Sequence, residues 1–138
     1  MKKINICVSK EDAIANYNNI QLTELSMIAN GSIDEIIFRT VDNIDASEKD
    51  SMIVTALKKL KEKGTLIIEF LDILSISKLI LNGSLTSKSI SGIFANKKSF
   101  SYEKEIIDTV KNFPQFNIRN RYKNKDNIVM NIHKELNK

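Results

Sequence analysis

Glycine, proline, cysteine and histidine are all scarce in this chain: four, one, one and one in 138 residues, with no tryptophan. Each shortage excludes something. The lone Cys7 rules out an internal disulfide and any cysteine-rich metal centre. One cysteine and one histidine, His133, fall short of a usual zinc donor set, so no metal is expected. Cys7 has no activating base near it in sequence, and one late histidine supports no Ser-His-Asp arrangement. No glycine precedes Gly31, so a glycine-rich ligand loop close to the N-terminus is excluded. Long apolar runs are missing too. None approaches the ~18–20 residues of a membrane span. The opening "MKKINICVSKED" lacks the ~7–15-residue apolar stretch of a signal peptide. These shortages predict a soluble, reducing, cytoplasmic setting with no membrane partner.

What is present suits one domain over residues 1–138. Hydrophobic residues make up 42% and charged residues 28%, enough for a single core under a well-solvated surface. The net charge of +4 is uneven. Residues 1–70 hold 9 Lys/Arg and 11 Asp/Glu, whereas residues 71–138 hold 12 and 6. The basic excess is densest at "NIRNRYKNKDN", which fits either an anionic partner or a solvated hairpin.

Periodicity orders the elements. "KKINICVS" predicts a strand over about 3–8 and "IDEIIFRT" another over about 33–39. Between them "YNNIQL" has an extended pattern, and "LTELSMIAN" predicts a short helix stopped at Gly31. Met52, Ile53, Ala56, Leu57 and Leu60 form a helical stripe. Ser47 is its expected cap, Glu48 and Asp50 its acidic first turn, and Gly64 its stop. "TLIIEFL" follows as a central parallel strand. A helix capped by Asp72 and stopped at Gly83, a helical turn at "LTSKSISGIF", and a helix over "YEKEIIDTVKNF" ended by Pro114 come next. Two strands, "QFNIRNRYK" and "NIVMNIHKE", close the chain as an antiparallel hairpin. The fold class is therefore α/β: a mostly parallel, Rossmann-like open sheet, shortened on one side, with a C-terminal antiparallel hairpin and helices on both faces.

Three segments in this order resemble the second half of a class I S-adenosylmethionine-dependent methyltransferase. "DEIIFRTVDNID" has Val41-Asp42-Asn43 where that family commonly has Leu-Glu-His. "LKKLKEKGTLIIEF" has Glu62-Lys63-Gly64 at the Pro-Gly-Gly turn, and "KSFSYEKEIIDTVKNFPQFNIRNRY" has Pro114-Gln115-Phe116 at the last strand entry. The resemblance spans about residues 33–133. It implies a cofactor site on Val8, Ser9, Thr40, Val41 and Asp42, and substrate contacts in the loop holding Phe94, Lys97, Lys98, Phe100 and Tyr102. It also exposes a departure. The family's first strand runs into an acidic, glycine-rich loop; here the chain reads "NICVSKEDAIANY". The space from 9 to 32 is too short for two β-α units of ~30 residues. The family sheet order 3-2-1-4-5-7-6 is thus expected to shrink to 1-4-5-7-6. S-adenosylmethionine binding is then expected to be weak or lost, and the bared edge of the first strand to pair with a second copy or a partner chain.

Open α/β sheets bind ligands beyond their strands' carboxyl ends. The candidate acids there are Asp42, Glu69 and Asp72. Asp42 also suits helix-start electrostatics with Asp45 and Glu48. Glu69 sits in an apolar strand, where a carboxylate needs a partner or water. Arg119, Arg121, Tyr122, Lys123 and Lys125 are candidates for nucleic-acid contact through phosphates and one stacking ring, or form an exposed sheet face. Three functions follow: a degenerate methyltransferase-like protein acting through protein contacts, an active small methyltransferase on a sugar, lipid or metabolite, and a nucleic-acid-binding accessory.

Overall fold

The computed structural model describes residues 1–136. Six strands form one sheet: β1 (Lys3–Cys7), β2 (Asn18–Gln21), β3 (Ile33–Phe38), β4 (Leu60–Leu71), β5 (Phe116–Asn124) and β6 (Asn127–Lys134). Four α-helices accompany them: α1 (Ala46–Lys59), α2 (Ile73–Leu81), α3 (Ser87–Phe94) and α4 (Glu103–Lys111). The spatial order is β2-β1-β3-β4-β6-β5. β2, β1, β3 and β4 run parallel, and β6 and β5 are antiparallel to their neighbours. Among the described residues no helix is long and apolar enough to cross a membrane.

Alternation along the strands explains where the core lies. Ile4 and Ile6, Ile36 and Phe38, Leu66, Ile68 and Phe70, and Ile128, Met130 and Ile132 all join one cluster with Ile53, Ala56 and Leu57 of α1 and Ile106 and Val110 of α4. The intervening residues Glu35, Ile37, Thr65, Ile67, Glu69, Asn131 and His133 are only half-buried. A smaller buried set outside that cluster comprises Cys7, Leu71, Val129 and, on α2, Ile76.

The second strand corrects the shrunken sheet order. β1 is not an edge: β2 pairs with it from Ile4↔Asn18 to Cys7↔Gln21. Only ten residues connect the two, with a 3-10 turn at Lys10–Asp12 in place of a helix. A parallel crossover usually needs a dozen or more. The shortcut works because β2 has four residues and side chains, not a helix, fill the gap. The bared edge foreseen for β1 is therefore covered. The remaining edges are the short β2 and the cation-rich β5, which has a register shift between Ile118 and Asn120.

Two local expectations change. Asp45, not Ser47, is the N-cap of α1. The helix ends at Lys59 rather than Gly64, because its last carbonyls find donors early: the amides of Gly31 and Ser32 bond Lys58 and Lys59 O at 3.0 and 2.9 Å. The Lys59 ammonium is buried against Ile28 O (2.6 Å) and Asn30 Oδ1 (2.9 Å). Leu60 then starts a strand opposite Ile33. Residues 61–64 bulge out before Thr65 meets Glu35, with Lys63 at φ 66. "LTELSMIAN" forms a 3-10 turn over Leu22–Met27 with Leu25 buried, not an α-helix.

Candidate functional site

The carboxyl end of β1 is closed on itself. One carboxylate oxygen of Asp12, Oδ2, accepts from the amides of Val8 (2.9 Å) and Ser9 (2.8 Å). The loop behind it hangs on two asparagines. Asn5, buried between Ile4 and Ile6, donates to Asp12 O and to Asn19 Oδ1, both at 2.8 Å. Asn19 in turn accepts from Ile14 N (2.9 Å) and donates to Ile14 O and Tyr17 O. Nearby, burial followed by the Asp12 charge pushes the Cys7 thiol's pKa up, which makes it a poorer nucleophile.

The end of β3 is buried. Thr40 Oγ1 donates to Ile6 O at 3.2 Å, tying β3 to β1, and Val41 is fully covered. Asp42 is 2% exposed. Its Oδ2 accepts from Leu71 N (2.7 Å), and its Oδ1 from Lys49 Nζ (3.2 Å) and Ser101 Oγ (3.0 Å). Lys49 Nζ also donates to Ser101 Oγ at 2.7 Å. The Asp42 carbonyl accepts from Lys98 and Ser99 amides, and Ser99 Oγ donates to Ile44 O. This carboxylate is a structural junction with no free oxygen facing a ligand.

Glu69 and Asp72 are held by the hairpin. Asn124 and Asn127 donate to Glu69. Asp72 caps α2 through Ser75 and receives the Lys123 ammonium at 2.6 Å. Burial raises the Asp72 pKa, but hydrogen bonds from Lys123 and Ser75 outweigh it and hold the carboxyl below its ordinary range. The three candidate acids thus converge on the strand ends, but each already has partners.

Open space remains beyond the carboxyl ends of β1 and β3. A cleft of about 510 Å³ is lined by Val8, Ser9, Lys10, Asp12, Asn43 and Lys98. A smaller one of about 220 Å³ shares Val8, Asn43 and Lys98 and reaches Gln21 at the end of β2. Of the five expected cofactor residues, Val8 and Ser9 line the crevice; Thr40, Val41 and Asp42 lie buried behind it. Glu69 lines another cleft of about 450 Å³ with Ile93, and Lys97 lines both that cleft and the 510 Å³ one. A further cleft of about 710 Å³ lies at the strands' amino ends around Lys2 and Lys3, away from the crevice where such sheets bind ligands. Among the described residues no group of three His, Cys, Asp or Glu side chains is placed to hold a metal ion.

The basic hairpin is largely neutralised. Arg119 pairs with Glu135, Arg121 with Glu103 and Lys123 with Asp72. Tyr122 stays about half exposed, and Lys125 occupies the turn at φ 54. Phe94 and Phe100 meet edge to face with centroids 5.4 Å apart, so two of the three rings of the expected substrate loop contact each other. Sequence reasoning missed Asp12, Asn5, Lys49 and Ser101. Two signals were there: Asn5 is a polar residue flanked by isoleucines in a strand, and Lys49 sits four residues before Ile53 on the α1 apolar stripe.

Comparison with known structures decides the fold. A SAM-dependent methyltransferase from Archaeoglobus fulgidus superposes with a TM-score of 0.62 at 8% identity, covering 95% of this chain and 75% of that one. A SAM-dependent methyltransferase from Thermotoga maritima, described as a possible histamine N-methyltransferase, gives 0.62 at 13%, covering 97% and 82%. An O-methyltransferase family protein from Burkholderia thailandensis gives 0.65 at 12%, covering 99% of this chain but 44% of that one. The fold is that of the class I methyltransferases. No family model matches the sequence, and no curated relative does. In that fold's own order, the sheet of the described residues reads 2-1-4-5-7-6, and its second strand has four residues.

Proposed function

We propose that this methyltransferase-like chain has moved away from ordinary S-adenosylmethionine binding and acts through protein contacts. The occupied β1 loop carries the proposal. Backbone amides at a strand's carboxyl end are natural seats for a ligand's polar groups. Here the Asp12 carboxylate sits on the Val8 and Ser9 amides from within the same loop. An intramolecular occupant competes at high effective concentration, so a ligand must displace it and break the Asn5–Asn19 brace as well. Supporting features are Gln21 at the end of β2, where the resemblance calls for a ribose-binding acid, and the absence of any glycine in the loop.

Calorimetry with S-adenosylmethionine and S-adenosylhomocysteine at millimolar concentration tests this reading. The expected result is neither binding heat nor a thermal shift. A saturable isotherm overturns it and supports an active small methyltransferase using the 510 Å³ crevice. The protein-contact half predicts a mass above that of one chain in light scattering, or a stable complex with a partner chain.

A further inference from the structure

The whole net charge of the protein is concentrated in one segment. Residues 73–102 hold four of the 21 Lys and Arg residues (Lys78, Lys88, Lys97 and Lys98) and none of the 17 Asp and Glu residues, leaving seventeen of each sign elsewhere. The same segment builds α2 and α3. α2 has six large apolar residues in nine, and only Ile76 is buried. α3 buries none of its residues, Ile90, Ile93 and Phe94 included. Leu74 is 59% exposed and Leu81 87%. With Lys78 between them they stand at i, i+4 and i+7, on one outward stripe.

A single exposed leucine needs no explanation. A leucine–lysine–leucine stripe on an apolar helix, inside an acid-free basic segment, does. We infer that α2 and α3 dock the protein peripherally on an anionic lipid surface. Leu74 and Leu81 enter the boundary between headgroups and acyl chains, and the lysines meet lipid phosphates. Charge complementarity selects an anionic occupant. Shape selects a bilayer over a partner helix: a helix partner needs a groove, no α2 residue lines any of the five clefts around the sheet, and of α3 Ile93 alone lines one. A second copy packed through the same stripe would set lysines against lysines. The length argument against a membrane span does not apply to a helix lying in the interface. Leu74, Lys78, Leu81 and Lys88, the residues varied below, line neither crevice of the cofactor reading, so each proposal can fail alone.

Co-sedimentation of the full chain with vesicles tests it, using phosphatidylcholine alone and phosphatidylcholine containing phosphatidylglycerol. Binding is expected only with phosphatidylglycerol and is expected to weaken with salt. Lys78→Ser and Lys88→Ser should each weaken it about fivefold, the equivalent of ~1 kcal/mol per lysine. The double variant Leu74→Ser/Leu81→Ser should abolish it while leaving the thermal melt unchanged, since both side chains are exposed. A Lys58→Ser/Lys111→Ser control should bind as the parent does. No binding to phosphatidylglycerol vesicles overturns the inference, as does undiminished binding by the leucine variant. Lipid-free self-association that the leucine variant abolishes also overturns it and reassigns the stripe to a protein contact.

Discussion

Asp42 shows how a strand-end carboxylate can serve the frame and not the chemistry. Its three donors, the buried Lys49 among them, make it half of an ion pair shielded from water. Asp42→Ala strands the Lys49 ammonium in the interior, and the expected cost is about 3–5 kcal/mol in urea unfolding. The double variant Asp42→Leu/Lys49→Met removes both charges and is expected to recover most of that loss. Gly64 gives a second residue-level test. A Cβ there would lie 2.8 Å from Lys61 O and 3.1 Å from Ile33 O, both backbone atoms. Gly64→Ala is therefore expected to cost about 1–3 kcal/mol by thermal melt, through backbone crowding at the 61–64 bulge. From sequence, Gly64 read as a helix stop; its true role depends on how closely Ile33 approaches, a contact that exists only after β3 and β4 pair.

At the scale of elements, the helix stripes and strand alternations were readable because burial imposes periods of 3.6 and 2. β3, α1 as far as Lys59, the apolar part of β4, α4 and the hairpin lie where those periods place them; Leu60, the last residue of the expected α1 stripe, starts β4 instead. β2 and its connection were not readable as such, because four residues carry too little alternation and Asn5, Asn19 and Asp12 act through side-chain bonds that have no period. Asn5→Leu tests that brace. It removes the side-chain donor to Asp12 O and one of two donors to Asn19 Oδ1, and is expected to cost about 1–3 kcal/mol, with faster amide exchange confined to residues 8–17. The α2 cap makes a prediction about pH. The folded pKa of Asp72 is depressed, so its contribution is present at neutral pH, above the unfolded value, and is lost as pH falls through the folded value. Lys123→Met should raise the Asp72 carboxyl titration, followed by NMR, and shrink the acid-side loss of stability.

At the scale of the whole molecule, the core is one-sided. Ile68 belongs to the main cluster, and its neighbour Ile67 points to the half-buried face. Ile68→Ala is expected to cost about 2–5 kcal/mol by urea unfolding, and Ile67→Ala clearly less. Equal costs would mean that the second face is packed as tightly as the first. The candidate site was legible from sequence as a place, the ends of β1, β3 and β4, because topology fixes it. Its state was not legible, since whether Asp12 or Asp42 is free depends on partners from 3 to 59 residues away along the chain. The Asp42 junction has a further, dynamic consequence. It holds the amide of Leu71 by its side chain and those of Lys98 and Ser99 by its carbonyl. Three amides from distant parts of the chain thus depend on one residue, and a single opening event should expose all three to solvent deuterium together. Hydrogen exchange would show them as one clock, and in Asp42→Asn that clock should run faster at all three positions.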